Sequence, residues 1–216
     1  MSALPRPPRR GRASWRGLAC AASLALCLAG FVLLLRGLTV PLVATVAQVR
    51  LEQEFEQRLA AVATARQPGP VASAPVRPVP APRPVSGGPI ARLSIERLEV
   101  ERFVLASDGS PEQLDLGPTM LKRGGRDAPV TVLTAHRDTH FLFIRDLREG
   151  DEVTLHHVTG ELERYRIDRF ETVRWDEFAY PLDPARPLLA LATCYPFGGT
   201  EYGGPWRRVA WAQRIG

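Results

Sequence analysis

Residues 90–216 read as a mainly β domain, a closed or nearly closed barrel, carried behind a helical and proline-rich N-terminal region. Three observations predict it. Short apolar runs recur along this stretch: ARLSIERLEV, alternating at Leu93 and Ile95, then APVTVLTA, DEVTLHHV, ELERYRIDRFETVR, PLLALATC and WRRVAWAQRI. Turn signals such as Glu149-Gly150-Asp151 and Thr159-Gly160 separate them, and only Asp138–Leu147 and parts of Asp176–Asp183 lack strand character. Short strands at regular intervals with little helix are the pattern of a barrel. The chain has 216 residues, 45% of them hydrophobic, enough for one domain of ordinary size and a smaller appendage.

The appendage begins with residues 1–16, a basic tail holding Arg6, Arg9, Arg10, Arg12 and Arg16 and no acid. Residues 17–36 follow as a transmembrane helix. The 19 residues 17–35 carry no charge and span roughly 28 Å as a helix, close to a bilayer's apolar thickness. Five arginines before the run and Arg36 after it predict a single-pass anchor in the cell membrane, N-terminus cytoplasmic and the folded domain outside. A cleaved signal peptide is the rival, but the run is long for one. Neither Cys20 nor Cys27 suits a lipoprotein site. Residues 47–66 read as a helical stalk, because Leu51, Phe55, Leu59 and Val62 make one apolar stripe among charges; a short dimerising coil is the other option. Residues 67–89 contain eight prolines and read as an extended, semi-rigid spacer.

Charge excludes one class of function. The formal net charge is +5, and the five arginines of the tail supply all of it. The remainder of the chain balances, whereas a nucleic-acid binder carries its basic face on the folded domain. The cysteines exclude another class. Cys20 and Cys27 lie in the apolar run and Cys194 stands alone near the C-terminus, which is not the even set of a disulfide scaffold.

Three positions carry chemistry. His136 follows the apolar strand Val130–Leu133, where a core strand emerges into a loop. Cys194 ends the strand Leu188–Leu191 in the same way, and Pro196 turns the chain after it. Arg207 and Arg208 open the last strand, where alternation lets only one of them face a site shared with His136 and Cys194. Arg207 is taken as that residue and Arg208 as a surface residue. Each has a bland alternative in a structural histidine, a buried core thiol and a solvated arginine. Together they fit acyl transfer at one mouth of the barrel. A thiolate attacks an amide carbonyl, an imidazolium protonates the departing amine, and a guanidinium neutralises the oxyanion. With ordinary pKa values, roughly 3% of cysteine is thiolate and about 24% of histidine is protonated at pH 7, so both hold together in under ~1% of molecules. Such an enzyme suits a single anchoring event better than bulk digestion.

These residues resemble the sortase family of cysteine transpeptidases. Leu191-Ala192-Thr193-Cys194 is similar to the family's Leu-x-Thr-Cys strand end, and Thr134-Ala135-His136-Arg137-Asp138-Thr139 to its histidine segment. Phe141, Leu147 and Gly150-Asp151 continue the likeness, and Gly203-Gly204-Pro205-Trp206-Arg207 resembles the approach to the family's arginine. Cys194-Tyr195-Pro196-Phe197 is most like the class D, class E and Gram-negative sortases. The likeness runs from Arg92 to Gln213.

The resemblance implies an eight-stranded sortase-type β-barrel. It implies cleavage of a Leu-Pro-x-Thr-Gly-like sorting signal between Thr and Gly, through a thioester on Cys194. The acyl group then passes to an amine acceptor, anchoring or polymerising surface proteins. His136 is the implied general acid/base, Arg207 the oxyanion stabiliser, and Thr193 helps frame the signal-binding groove. The partners implied are a sorting-signal-bearing protein, an amine nucleophile and the membrane; no nucleic acid and no cofactor is expected. Two departures stand out. Ala135 occupies the family's usual glycine, and Thr119-Met120-Leu121-Lys122 replaces an upstream glycine-histidine element. The calcium site of some sortases is not carried over, for want of a clear acidic cluster.

Three rival functions compete with this one. His136 and His140 share the i, i+4 spacing of a zinc hydrolase, but Arg137 stands where the catalytic glutamate belongs. A hydrolytic cysteine peptidase would use the same trio with water as acceptor. A non-catalytic membrane-anchored adhesion or assembly module would use none of it. His156 and His157 lie mid-strand on opposite faces, one of them expected in solvent, and neither is assigned a role.

Overall fold

A computed structural model describes residues 12–66, 88–107, 110–124, 129–199 and 203–215. Most of the basic tail and the proline-rich segment 67–87 lie outside the described residues. The chain divides into two compact units, one ending at Leu42 and the other starting at Val43. The first consists of the N-terminal part of helix α1 (Arg12–Arg66), in which Gly17–Leu35 has a mean hydropathy of 2.6 and is long and apolar enough to cross a membrane.

The second unit is an eight-stranded closed barrel. Its strands are β1 (Pro89–Ile95), β2 (Val100–Ala106), β3 (Thr119–Lys122), β4 (Val130–Thr134), β5 (Glu152–His157), β6 (Leu162–Arg174), β7 (Leu188–Tyr195) and β8 (Trp206–Arg214). They run β1-β2-β3-β4-β7-β8-β6-β5 around the barrel, and β5 pairs back onto β1. Two neighbouring pairs, β2–β3 and β4–β7, are parallel, and the others are antiparallel. Closure leaves no free sheet edge to template aggregation.

The run ARLSIERLEV proves to be parts of two strands. A 3-10 turn at Glu96–Leu98 interrupts it, and Glu99 sits at φ 52, donating its N–H to Glu96 O at 3.0 Å. A left-handed non-glycine residue lets the chain reverse tightly between β1 and β2. Strand β3 was not legible beforehand, since four residues carry too little pattern to stand out. The stretch Asp138–Leu147 is non-strand as expected, with a 3-10 turn at Leu142–Asp146.

Alternation sorts the side chains into an inside and two outsides. Leu93, Ile95, Leu133, Phe141, Leu155, Ile167, Leu189, Leu191 and Ala210 belong to the interior cluster. On the outer face of β4, β7 and β8, Val130, Val132, Leu188, Ala190, Ala192, Val209 and Trp211 form a second buried cluster. Strands β4 and β7 are apolar on both faces for this reason, as parallel strands covered on both sides are. Two aromatics from the β6–β7 connection, Phe178 and Tyr180, pack on that outer face, with the Phe178 ring stacked on Trp211 at 6.0 Å between centroids.

The other outer face is covered by α1. Leu51 and Phe55 are buried against Phe103 and Leu105 of β2, with Leu59 and Val158 beside them. The apolar stripe read as that of a stalk is therefore laid on the barrel wall. Polar contacts fix its register. Arg58 donates to Pro89 O at 3.3 Å, and Gln48 bonds the backbone at two points described below. The face of β5 that carries His156 is consequently only partly solvated: Phe55 meets its ring edge-on at 5.8 Å, and Arg92 lies 3.3 Å from Nδ1. Its neighbour His157 points inward, 2% exposed, with Nε2 3.0 Å from Glu163.

Candidate active site

Strand register brings the three sequence-predicted residues together. Strands β4 and β7 run parallel with Thr134 opposite Ala192, and Ala135 N–H continues the ladder to Ala192 O at 3.4 Å. His136 and Cys194 each lie two residues further on, so they emerge side by side from adjacent strand ends. On the other side of β7, Cys194 is paired directly with Arg207 of β8. Directly opposed residues stand about 4.5–5.5 Å apart at Cα and share a face of the sheet. Cys194 follows Ala190 and Ala192 in parity, and Arg207 precedes Val209 and Trp211, so the shared face is the outer one. The strand-end positions by themselves point to a mouth of the barrel. The trio instead lies at the end of the outer apolar face, because an inward-facing trio would have met Leu189 and Leu191.

Cys194 is a free thiol, half-buried. His136 Nε2 stands 3.0 Å from Asp115 Oδ1, on the short helix α2 (Gln113–Leu116), and its side chain is 25% exposed. Arg207 Nη1 donates to Gly204 O at 2.6 Å and to Trp206 O at 2.9 Å, so its guanidinium rests on the loop just before β8. Arg208, on the opposite face, is half-buried, not fully solvated. It donates to Thr172 Oγ1 at 3.1 Å and lies over the Phe170 ring.

Thr193 has inward parity and is 1% exposed. Its hydroxyl donates to Ala135 O at 2.8 Å. It does not line a groove with its side chain, as the family resemblance led one to expect. It ties the end of β7 to the residue preceding His136.

Sequence reasoning missed Arg137. It is 6% exposed and clamps three groups at once. It donates Nε and Nη2 to the Asp138 carboxylate at 2.7 and 2.9 Å, Nη1 to Pro196 O at 2.7 Å and Nη2 to Gly199 O at 2.8 Å. The β4–β7 ladder stops before His136 and Cys194. Arg137 thus bridges the His136 segment to the loop that leaves Cys194. Gly199 fits closely there, since a Cβ would come within 3.2 Å of both Arg137 Nη1 and Pro196 O and each would have to yield slightly. The guanidinium holds the Asp138 carboxyl below its ordinary pKa. No sequence signal marked Arg137, because a buried arginine reads like any exposed one until its partners, 59 and 62 residues away, are known.

His140 lies in the turn after His136 and is buried there, 2% exposed. Its Nε2 lies 3.1 Å from Asp115 O, and burial pushes its pKa below the ordinary value. The zinc-hydrolase arrangement therefore has no geometric counterpart. His136 Nε2 meets a carboxylate of α2, while His140 is turned toward a backbone carbonyl of the same helix.

Residues 93–215 match the family model described as the sortase domain. No curated protein matches the chain. Among solved structures, sortase C1 of Streptococcus suis is 26% identical over 59% of this chain and 73% of its own, with a TM-score of 0.50. Sortase C of Clostridium perfringens, solved with the C-terminal cell wall sorting motif, is 18% identical, covers 77% of this chain and 88% of its own, and gives a TM-score of 0.54. Sortase C of Streptococcus pneumoniae is 21% identical over 81% and 96%, with a TM-score of 0.53.

Proposed function

The chain belongs to the sortase family of cysteine transpeptidases, which act on sorting signals, and from that premise we propose that Cys194, His136 and Arg207 carry its chemistry. The Cys194 thiolate attacks the carbonyl carbon of the signal's Thr–Gly bond. The tetrahedral oxyanion is neutralised by Arg207, whose guanidinium needs only to leave the carbonyls of Gly204 and Trp206. His136 gives its proton to the departing glycine amine, and a thioester to Cys194 remains. An acceptor amine then attacks the thioester. It loses a proton to His136, forms a new amide and releases the thiolate. Electron pairs and protons balance over the cycle with no cofactor.

The single observation behind this assignment is the register, in which Cys194 is opposed by Arg207 and flanked at the same level by the strand end bearing His136. We further propose a signal of the Leu-Pro-x-Thr-Gly type. The exposed apolar side chains of Leu121, on β3 next to β4, and Leu182, in the β6–β7 connection, suit its leucine and proline. Thr193 and Arg137 serve as positioning residues for the two strand ends. Gly17–Leu35 is proposed as a single-pass anchor with the arginine-rich tail in the cytoplasm and the barrel outside. The Cys-Tyr-Pro-Phe segment supports assignment to the class D, class E and Gram-negative group.

Mass spectrometry of the protein after incubation with a peptide library tests the proposal. The expected product is a mass increment on the Cys194 peptide alone, discharged by an added amine to a new amide. Discharge to free acid at an unchanged rate, with or without amine, would instead make the protein a hydrolytic peptidase.

A further inference from the structure

Helix α2 has four residues and no capping side chain of its own. A helix that short does not hold its place by internal hydrogen bonds. Yet its Asp115 carboxylate stands 3.0 Å from His136 Nε2, beside one of the proposed catalytic groups. What holds it there comes from three other parts of the chain. His140 Nε2 reaches Asp115 O at 3.1 Å from beneath. Gln113 Nε2 donates to Ala106 O at 2.6 Å, fixing α2 to the end of β2. The third support comes from α1, outside the barrel altogether. Gln48 donates through Nε2 to Leu116 O at 2.9 Å and accepts through Oε1 from Phe103 N at 2.8 Å.

The Gln48 amide is thus bonded at both ends, to the residue after Asp115 and to β2. The seat is close-fitting. A Cβ on Gly117 would come within 2.8 Å of Gln48 Nε2 and 3.0 Å of Phe103 O. One turn and two turns further along α1, Leu51 and Phe55 are buried against Phe103 and Leu105, so the helix carrying Gln48 is held against the strand it bonds.

We propose that Asp115 is a positioning residue for His136, and that the part of α1 next to the apolar span, through Gln48, is the strut that keeps it in place. This rests on the assignment of His136 above and extends it. A carboxylate within ion-pair distance of a ring nitrogen restrains where the imidazole sits, as orienting carboxylates do for other working histidines. Because α2 supplies that carboxylate from outside the strand scaffold, its orientation is only as firm as its supports. The barrel from residue 90 onward is therefore an incomplete enzyme. The helix before the proline-rich segment completes it.

The experiment uses the full-length chain in detergent micelles, with Asp115→Ala, Asp115→Asn, Gln48→Glu and wild type compared. Gln48→Glu keeps the acceptor for Phe103 N–H and removes the donor to Leu116 O. Two probes are read: turnover of a fluorogenic Leu-Pro-Glu-Thr-Gly peptide, and the rate of Cys194 alkylation by iodoacetamide, scored by peptide mass spectrometry with Cys20 and Cys27 as internal references.

Asp115→Ala is expected to lower kcat about 10-fold, part of what a general acid contributes, with KM within about 2-fold. Asp115→Asn should recover part of that loss, because its amide oxygen still accepts. Gln48→Glu should follow Asp115→Ala in direction with roughly a 3-fold loss in kcat. All variants should unfold within about 2 °C of wild type.

Unchanged kcat in Asp115→Ala overturns the proposal. So does a loss equal in Asp115→Ala and Asp115→Asn that tracks a lower unfolding temperature. If wild type itself does not turn over the peptide, the signal assignment fails separately. The alkylation rate then decides: slower labelling of Cys194 in Asp115→Ala supports the proposal, and labelling equal to wild type overturns it.

Discussion

The barrel has two apolar outer faces, and they are covered in different ways. Over β2, helix α1 lays Leu51 and Phe55 onto Phe103 and Leu105 and adds backbone hydrogen bonds from Gln48 and Arg58. Over β4, β7 and β8, the cover is Phe178 and Tyr180 from the β6–β7 connection, both only partly buried, and Leu182 of the same connection stays 84% exposed. The first face is closed in the manner of a core. The second is half closed, and the strand ends bearing His136, Cys194 and Arg207 open onto it. Apolar surface left uncovered beside reactive groups marks where a partner lies. The comparison separates a face that holds the fold from the face on which the proposed chemistry is placed.

The largest effect is expected at Cys194. Cys194→Ala should abolish acyl-enzyme formation while leaving the unfolding temperature unchanged, as measured by mass spectrometry and thermal scanning on the same sample; appreciable residual cleavage of a sorting peptide would remove Cys194 from its role. Next comes the pair that opens β8. Arg207→Ala should lower kcat/KM by about 10²–10³-fold, the scale of a lost oxyanion donor. Arg208→Ala should cost less than about 5-fold, because it lies on the other face against Phe170. The reverse ranking in steady-state assays would show that the wrong arginine has been assigned.

Two aromatic deletions then set the faces against each other. Phe55→Ala should destabilise the protein by about 3 kcal/mol, since the ring is fully buried. Phe178→Ala should cost about 1 kcal/mol or less and raise KM several-fold. Denaturant melts and peptide kinetics on both variants check this, and equal stability losses would erase the distinction between the faces.

The smallest effect concerns pH. His140, near Arg102, His136 and Asp115, is held by burial below its ordinary value of 6.5. The unfolded chain therefore binds the proton more readily, so stability should be full above that value and decline as pH falls below it. His156 is shifted in the same direction, again by burial. In melts across this range, His140→Asn should flatten the slope, and an unchanged slope would show that His140 does not contribute to it.

Much of the fold and part of the site were legible in the sequence. The long strands were, because period-2 alternation and β-branched runs state which face is buried; β3 was too short to do so. The apolar span, and the strand-end positions of His136 and Cys194, depend only on local pattern and spacing. Alternation stated that only one of Arg207 and Arg208 can face that site, and the likeness of residues 203–207 to the family's arginine segment pointed to Arg207. The docking of α1 was not legible. The stripe Leu51, Phe55, Leu59 and Val62 announces a buried face but not what buries it, and a stalk, a coil and a docked helix share that stripe. The clamp of Arg137 on Pro196 and Gly199, the inward turn of Thr193 and the approach of Asp115 to His136 all join residues far apart in the chain. Sequence specifies which side chains must leave water and at what period. Which distant group they meet is decided when barrel closure sets the register between strands, and that is a property of the whole sheet.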